Sequence, residues 1–226
     1  MKVYIYWNRT NNDCTKIFHF LSPNDELSIV EKLNENNLAD IGRITSKYKD
    51  AGKIYEKITN CDVAIFCTHG SKNEILKYRN DDKMDEGSYV LIDESNINIL
   101  NDKVVLAFCC SSARVLGKHS VKAPNKCRAY IGFEKDILYY LRGMKNANLT
   151  KHVAFQAYKA AFSSTLQFAI KTKCTVETFR SRLVYCLRKE SFKAVMKSDN
   201  NSLNDIFAGV IDNVVAHGDQ SAVIFD

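Results

Sequence analysis

Two runs constrain this chain more than anything else in it: DVAIFC at 62–67 and KVVLAFC at 103–109. Each is apolar at every interior position, rich in β-branched or aromatic residues, and too short for a typical buried helix. A strand with one wet face alternates apolar and polar residues. A strand with no polar position must be covered on both faces. Such strands belong to mostly parallel sheets, whose crossover connections lay helices on both sides.

The rest of the chain supplies what such a sheet needs. Further strands are expected at 2–7, 15–21, 88–93 and 127–133. Helices are expected at 24–37 (capped by Asn24 or Asp25), 46–60 and 94–100. Residues 71–87 are highly charged and read as an exposed loop. Beyond residue 135 two long helical patterns, 148–173 and 175–197, precede a helix and last strand within 204–226. The expected architecture is α/β, a mostly parallel sheet flanked by helices on both faces, with a helical C-terminal part. No linker or repeat divides the chain, so one domain is expected over 1–226. Its sheet-rich core would span 1–140, and the helices and final strand of 148–226 would complete it.

Composition then narrows the function classes. Hydrophobic residues make up 46% and charged residues 26%, as in ordinary globular proteins. The net charge of +6 is spread among interspersed acids, which argues against direct nucleic-acid binding. No run approaches the ~18–20 apolar residues of a membrane span. The opening MKVYIYWNRT is too short and polar for a secretory signal. A cytoplasmic chain without membrane association is therefore expected. The eight cysteines, at 14, 61, 67, 109, 110, 127, 174 and 186, form no CxxC pair and no zinc-ligand spacing with histidine. Reduced thiols, no metal and no cofactor are expected. The stretch after the first strand, WNRTNNDCT, lacks the glycines of a phosphate-binding loop.

The chemistry gathers at two strand ends. In parallel sheets ligands bind beyond the carboxyl ends of strands. His69 and Gly70 follow the first run, and Cys109, Cys110, Ser111 and Ser112 follow the second. Consecutive strands usually lie near each other, which would bring an imidazole to a thiol. Such a pair can catalyse acyl transfer: the thiolate attacks a carbonyl and the imidazolium protonates the leaving amine. Alternation along a strand separates the two cysteines. Cys109 would continue the strand into a covered face, and Cys110, leaving the strand, is the preferred nucleophile. A helix starting at Ser111 would stabilise the thiolate through its exposed N–H groups and dipole. The N–H groups of Gly70 and Cys110 could cradle an oxyanion. Ser111 and Ser112 read as helix-start residues that help hold the loop. Two other histidines are rival bases. His119 lies nine residues beyond Cys110, ~13 Å along a helix. His217, in AHGDQ, reads as part of a turn into the final strand.

At these residues the chain resembles the caspase-like superfamily of cysteine peptidases, which includes caspases, gingipain-like enzymes, separases and CHAT-domain proteases. The family pattern is an apolar strand ending in His-Gly and, ~50 residues on, an apolar strand ending in the catalytic Cys. VAIFCTHG and VVLAFCC fit it, with an offset of 41 residues between His69 and Cys110. CCSSARVLG is similar to the Gly-Cys-Ser-Ser-Gly run of separases and the Ala-Cys-x-Thr-Gly run of CHAT domains, and both place the nucleophile at Cys110. LIDESNINIL is similar to the strand and short helix that CHAT domains carry between the two motifs. The resemblance covers residues 60–136, with two departures: Cys109 stands where a small Gly or Ala is usual, and Ala113 where Gly is common.

The resemblance implies a caspase–haemoglobinase fold and a cysteine endopeptidase acting on a protein or peptide. It also implies an acidic residue after the next strand that recognises a basic P1 side chain. Glu134 fits that role by position and Asp136 second, with Ser111 beside them in the substrate-binding set. No sensor domain or repeat is attached, so control by a regulatory protein partner is expected. The alternative is a catalytically silent caspase-like scaffold or binding module.

Overall fold

The computed structural model describes residues 1–8, 14–22, 29, 33, 39–44, 51–77, 90–137, 152–198 and 202–226. In chain order its strands are β1 (Val3–Asn8), β2 (Ala39–Ile44), β3 (Val63–Cys67), three short strands β4 (Gly70–Ser71), β5 (Glu74–Leu76) and β6 (Val90–Ile92), then β7 (Val104–Phe108), β8 (Ala129–Phe133) and β9 (Val214–Gly218). Six of them form the main sheet in the order β2-β1-β3-β7-β8-β9. The first five run parallel and β9 is antiparallel. The short strands form a separate antiparallel sheet, β4-β5-β6.

The continuous apolar strands split their side chains between two cores, as the period of two requires. Val3, Ile5, Val63, Ile65, Val104, Leu106 and Phe108 point to one face, and Tyr4, Tyr6, Ala64, Phe66, Val105 and Ala107 to the other. The helices are α1 (Ala51–Thr59), α2 (Leu116–Ser120), α3 (Val153–Thr172), α4 (Val176–Met196) and α5 (Ser202–Ile211). The first face is covered by α3, α4, α5 and a 3-10 helix at Cys14–Leu21. The second is covered by α1, α2, the 3-10 turn Ile97–Leu100 and the small sheet. Helix α3 docks through Phe162, whose ring lies 4.9 Å from Phe108 and 5.9 Å from Phe18. Truncating a ring so placed typically costs about 3–5 kcal/mol.

Local signals set the ends of the long helices. Thr175 Oγ1 accepts the Thr178 N–H at 3.3 Å and starts α4. His152 Nδ1 accepts the Ala154 N–H at 3.3 Å and starts α3. Lys173 ends α3 in the left-handed region, φ 48°, with its N–H on the Ala169 carbonyl.

The structure departs from the sequence expectations in four places. The strand expected at 15–21 is the 3-10 helix Cys14–Leu21. Its buried residues, Ile17, Phe18, Phe20 and Leu21, recur at helical spacing and not at every second position. Strand β2 was not expected: among the described residues it is an edge strand pairing only with β1, and its sequence, ADIGRI, has no periodic signature. The loop expected from residue 71 begins as the hairpin β4–β5, and residues 78–89 lie outside the described residues. The turn after β7 is not helical until Leu116. Of the helix expected over 24–37, only Ile29 and Leu33 are described, both buried and joined by the Leu33 N–H to the Ile29 carbonyl at 3.1 Å.

Candidate active site

Sheet register brings the two motifs to one level. Strands β3 and β7 are neighbours, with Val63 opposite Val104 and Cys67 opposite Phe108, an offset of 41 residues. The same offset separates His69 from Cys110, so each stands two residues beyond the carboxyl end of its strand. Adjacent strands lie ~4.8 Å apart, so both residues occupy one stretch of the rim. Gly70 shows how closely the segments meet. A β-carbon there would lie 2.8 Å from the Cys110 carbonyl oxygen and 2.9 Å from Cys109 Cβ. Only glycine lets the backbone approach this far.

The small sheet holds both sides of this junction. The Thr68 hydroxyl donates to the Leu76 carbonyl at 2.7 Å, and the Leu76 N–H donates to the His69 carbonyl at 3.0 Å. At the tip of the hairpin the Lys72 carbonyl accepts the N–H groups of Val115 and Leu116, at 3.2 and 2.9 Å. One hairpin therefore fixes the backbone of His69 and the exit of the cysteine turn.

The adjacent cysteines diverge. Cys109 has no exposed surface, continues the Val105–Ala107 face, and donates its thiol weakly to the Phe66 carbonyl at 3.6 Å. Burial pushes that thiol far above its usual pKa, so it stays protonated. Cys110 is half-buried, packs against the opposite core, and its sulfur accepts the Ile137 N–H at 3.4 Å. The expected helix at Ser111 is corrected here: residues 110–115 form turns, and Ser111 has φ +55°. Among the described residues the helix that follows Cys110 begins only at Leu116, and the backbone donor at the Cys110 sulfur comes from the segment after β8. Ser111 and Ser112 do not act as helix caps. The Ser111 hydroxyl donates to Asp136 Oδ1 at 2.7 Å, and the buried Ser112 hydroxyl donates to the Cys109 carbonyl at 3.4 Å.

The turn after Cys110 is laced to residues 133–137 as a short ribbon. The Ala113 N–H donates to the Phe133 carbonyl and the Ser111 N–H to the Lys135 carbonyl, both at 3.1 Å. The Glu134 N–H in turn donates to the Asn213 carbonyl at 3.0 Å, extending the β8–β9 pairing. The two acids of this segment go different ways. Glu134 pairs with Lys118 Nζ at 2.6 Å, while Asp136 stays beside the Cys110 turn through Ser111. His119 is exposed on α2, its Nδ1 3.3 Å from the Glu94 carboxylate. His217 is not in a turn. It lies within β9, opposite Tyr130, with Nε2 3.0 Å from the Ala113 carbonyl. Its contact with the cysteine turn had one sequence signal, the second His-Gly pair at a strand end. Among the described residues no three His, Cys, Asp or Glu side chains gather closely enough to hold a metal ion, and no helix is long and apolar enough to cross a membrane.

No family model matches the sequence, and no curated protein matches it. Its structure does have a match: the crystal structure of the Arg-specific cysteine proteinase gingipain R superposes with a TM-score of 0.53 at 11% identity, over 99% of this chain and 47% of that one. The fold is the caspase-like one. This chain spans about half the length of that solved structure. Within the caspase-like sheet, His69, Gly70, Cys110, Ser111 and Asp136 all stand just beyond the carboxyl ends of β3, β7 and β8, the edge at which open α/β sheets hold ligands.

Proposed function

We propose that the chain is a cysteine endopeptidase of the caspase-like superfamily, with Cys110 as nucleophile and His69 as general acid and base. The observation that carries this reading is the backbone contact at Gly70, which sets His69 and Cys110 at one level on neighbouring strand ends. The likeness to a cysteine proteinase supports it at the level of the fold. In the proposed reaction the Cys110 thiolate attacks the scissile carbonyl and forms the C–S bond. The N–H groups of Gly70 and Cys110 receive the oxyanion. As the C–N bond breaks, the His69 imidazolium gives its proton to the leaving amine. The neutral imidazole then takes a proton from water, which attacks the thioester and releases the acid product and the thiolate.

A basic P1 residue is part of the proposal. The gingipain match is described as Arg-specific, and an acid beside the nucleophile would pair with such a side chain. Asp136 is better placed for this than Glu134, because its carboxylate accepts the hydroxyl of Ser111, the residue next to Cys110. The CCSSARVLG run supports a CHAT- or separase-type member, and control by a protein partner belongs to the same reading.

The test is labelling with an Arg-P1 acyloxymethyl ketone peptide. Wild type and Cys109→Ala are expected to label, and Cys110→Ala and His69→Ala are not. Labelling that survives in Cys110→Ala would overturn the assignment. A wild type inert to a panel of P1 groups, alone and with cell extract added, would favour the silent scaffold.

A further inference from the structure

The mechanism above leaves unused a part-buried polar contact to the turn that carries the nucleophile. His217 stands on the antiparallel strand β9 at the far side of β8, distant in sequence from every other residue of the site. Its Nε2 lies 3.0 Å from the carbonyl oxygen of Ala113, three residues past the nucleophile. A carbonyl can only accept, so Nε2 carries the hydrogen and donates it.

Ala113 is the pivot of the turn. It has no exposed surface, its N–H is held by Phe133, and its methyl faces the backbone of Gly132. With His217 on its carbonyl, both polar groups of this peptide segment are tied to the β8–β9 pair. The register of the ribbon depends on that anchor. Ser111 pairs with Lys135, and the next donor along, the Ile137 N–H, meets the Cys110 sulfur at 3.4 Å. A shift of Ala113 therefore shifts the sulfur away from its N–H donor.

We infer that His217 is a positioning residue for the Cys110 thiol: its Nε2–H on the Ala113 carbonyl sets the turn that keeps the sulfur under the Ile137 N–H. This rests on Cys110 being the nucleophile, and it adds a residue from the C-terminal strand to the site. Burial holds the pKa of the half-buried imidazole below the ordinary histidine value, opposed by the bond to the Ala113 carbonyl and by Glu134, and reinforced by Lys118 and Lys122. Either protonation state keeps the Nε2–H, so the bond to Ala113 survives across neutral pH.

The experiment is the rate of iodoacetamide alkylation at Cys110, read by peptide mass spectrometry across pH. It compares wild type with H217Q, H217N and H217A. Glutamine can place an N–H near the position of Nε2, and asparagine is too short to reach it. The expected result is a thiol titration moved to higher pH and a roughly 10-fold slower reaction at pH 7 in H217N and H217A. H217Q should stay within about 2-fold of wild type. A merely structural role would lower the melting temperature without moving the thiol titration. Wild-type alkylation profiles in H217N and H217A overturn the inference, and so does equal impairment of H217Q and H217N. If H217A fails to fold, the H217Q–H217N comparison still decides. A wild type that ignores the panel of peptide ketones, alone and with cell extract, but shows the expected alkylation differences favours the silent scaffold over the peptidase and keeps this inference for Cys110 as a reactive thiol.

Discussion

The chain contains two His-Gly pairs, and they are used in opposite ways. Thr68-His69-Gly70 follows a central parallel strand and spills over the carboxyl rim of the sheet. Ala216-His217-Gly218 lies inside an antiparallel edge strand, alongside Tyr130 and Ala129. Both reach the Cys110 turn, one from the front through backbone contact at Gly70 and one from behind through the His217 ring. The glycines differ as well. Gly70 is needed because a β-carbon would strike Cys109 and Cys110. Gly218 is needed for its left-handed φ of +85° and because a β-carbon would lie 2.5 Å from the Arg128 carbonyl. Strand direction decides the outcome: a parallel strand delivers its last residues to the ligand rim, and an antiparallel neighbour delivers side chains to the flank of the same turn.

The largest expected effect tests the front pair. His69→Ala should reduce peptide hydrolysis by about 10²–10⁴-fold, the usual worth of a positioned acid–base group, with little change in the melting temperature. An equal loss in H217A would erase the division of labour between the two histidines. Asp136→Asn comes next: the preference for Arg over a neutral P1 residue should fall by at least tenfold, whereas Glu134→Gln should leave it intact. The reverse pattern would return the pocket to Glu134.

The glycines sharpen the comparison through stability. Gly218→Ala combines left-handed strain with a backbone clash and should cost about 2 kcal/mol or more in urea unfolding. Gly70→Ala should cost about 1–3 kcal/mol by overpacking, and it should also abolish labelling of Cys110, because the displaced backbone belongs to the site. A Gly70→Ala variant with full labelling would show that the contact is only packing.

Smaller effects follow from charge. Burial lowers the pKa of His217, and also that of His152, below the ordinary histidine value. A histidine with a lowered folded-state pKa binds its proton more weakly folded than unfolded. Its stabilising contribution is therefore present above the unfolded-state pKa and is lost as pH falls through 6.5 toward the lower folded-state pKa. His217→Gln should flatten that acid loss in a pH series of thermal melts. Protonating His152 at Nδ1 would also remove the acceptor that caps α3. Glu134→Gln should be the mildest change, under about 1 kcal/mol, because the Lys118 pair is substantially exposed and screened by water.

Legibility in the sequence followed how locally each feature is determined. The strands β1, β3, β7 and β8 could be read because every interior residue is apolar, and that pattern leaves burial on both faces as the stable outcome. The 3-10 helix at Cys14–Leu21 was misread because a short apolar segment fits two periods equally well. Strand β2 and the β4–β5 hairpin were missed because their hydrogen bonds lie with partner strands and their side chains carry little periodic signal. The α2 start was misplaced for a related reason. Ser111 and Ser112 look like caps in isolation, but Asp136 and the Cys109 carbonyl take their hydroxyls.

By itself the amino-acid sequence determined that a mostly parallel sheet would form, that the runs of β1, β3, β7 and β8 would lie in it, and which two strand ends would carry an imidazole and a thiol. Those follow from side-chain chemistry and the period of a strand, both local properties. Only the tertiary structure decided that β3 and β7 pair at an offset that levels His69 with Cys110, that Asp136 accepts the Ser111 hydroxyl beside Cys110, and that His217 reaches Ala113 from the last strand. Each of these depends on backbone groups and side chains that lie far apart along the chain, and only the packed sheet supplies their partners.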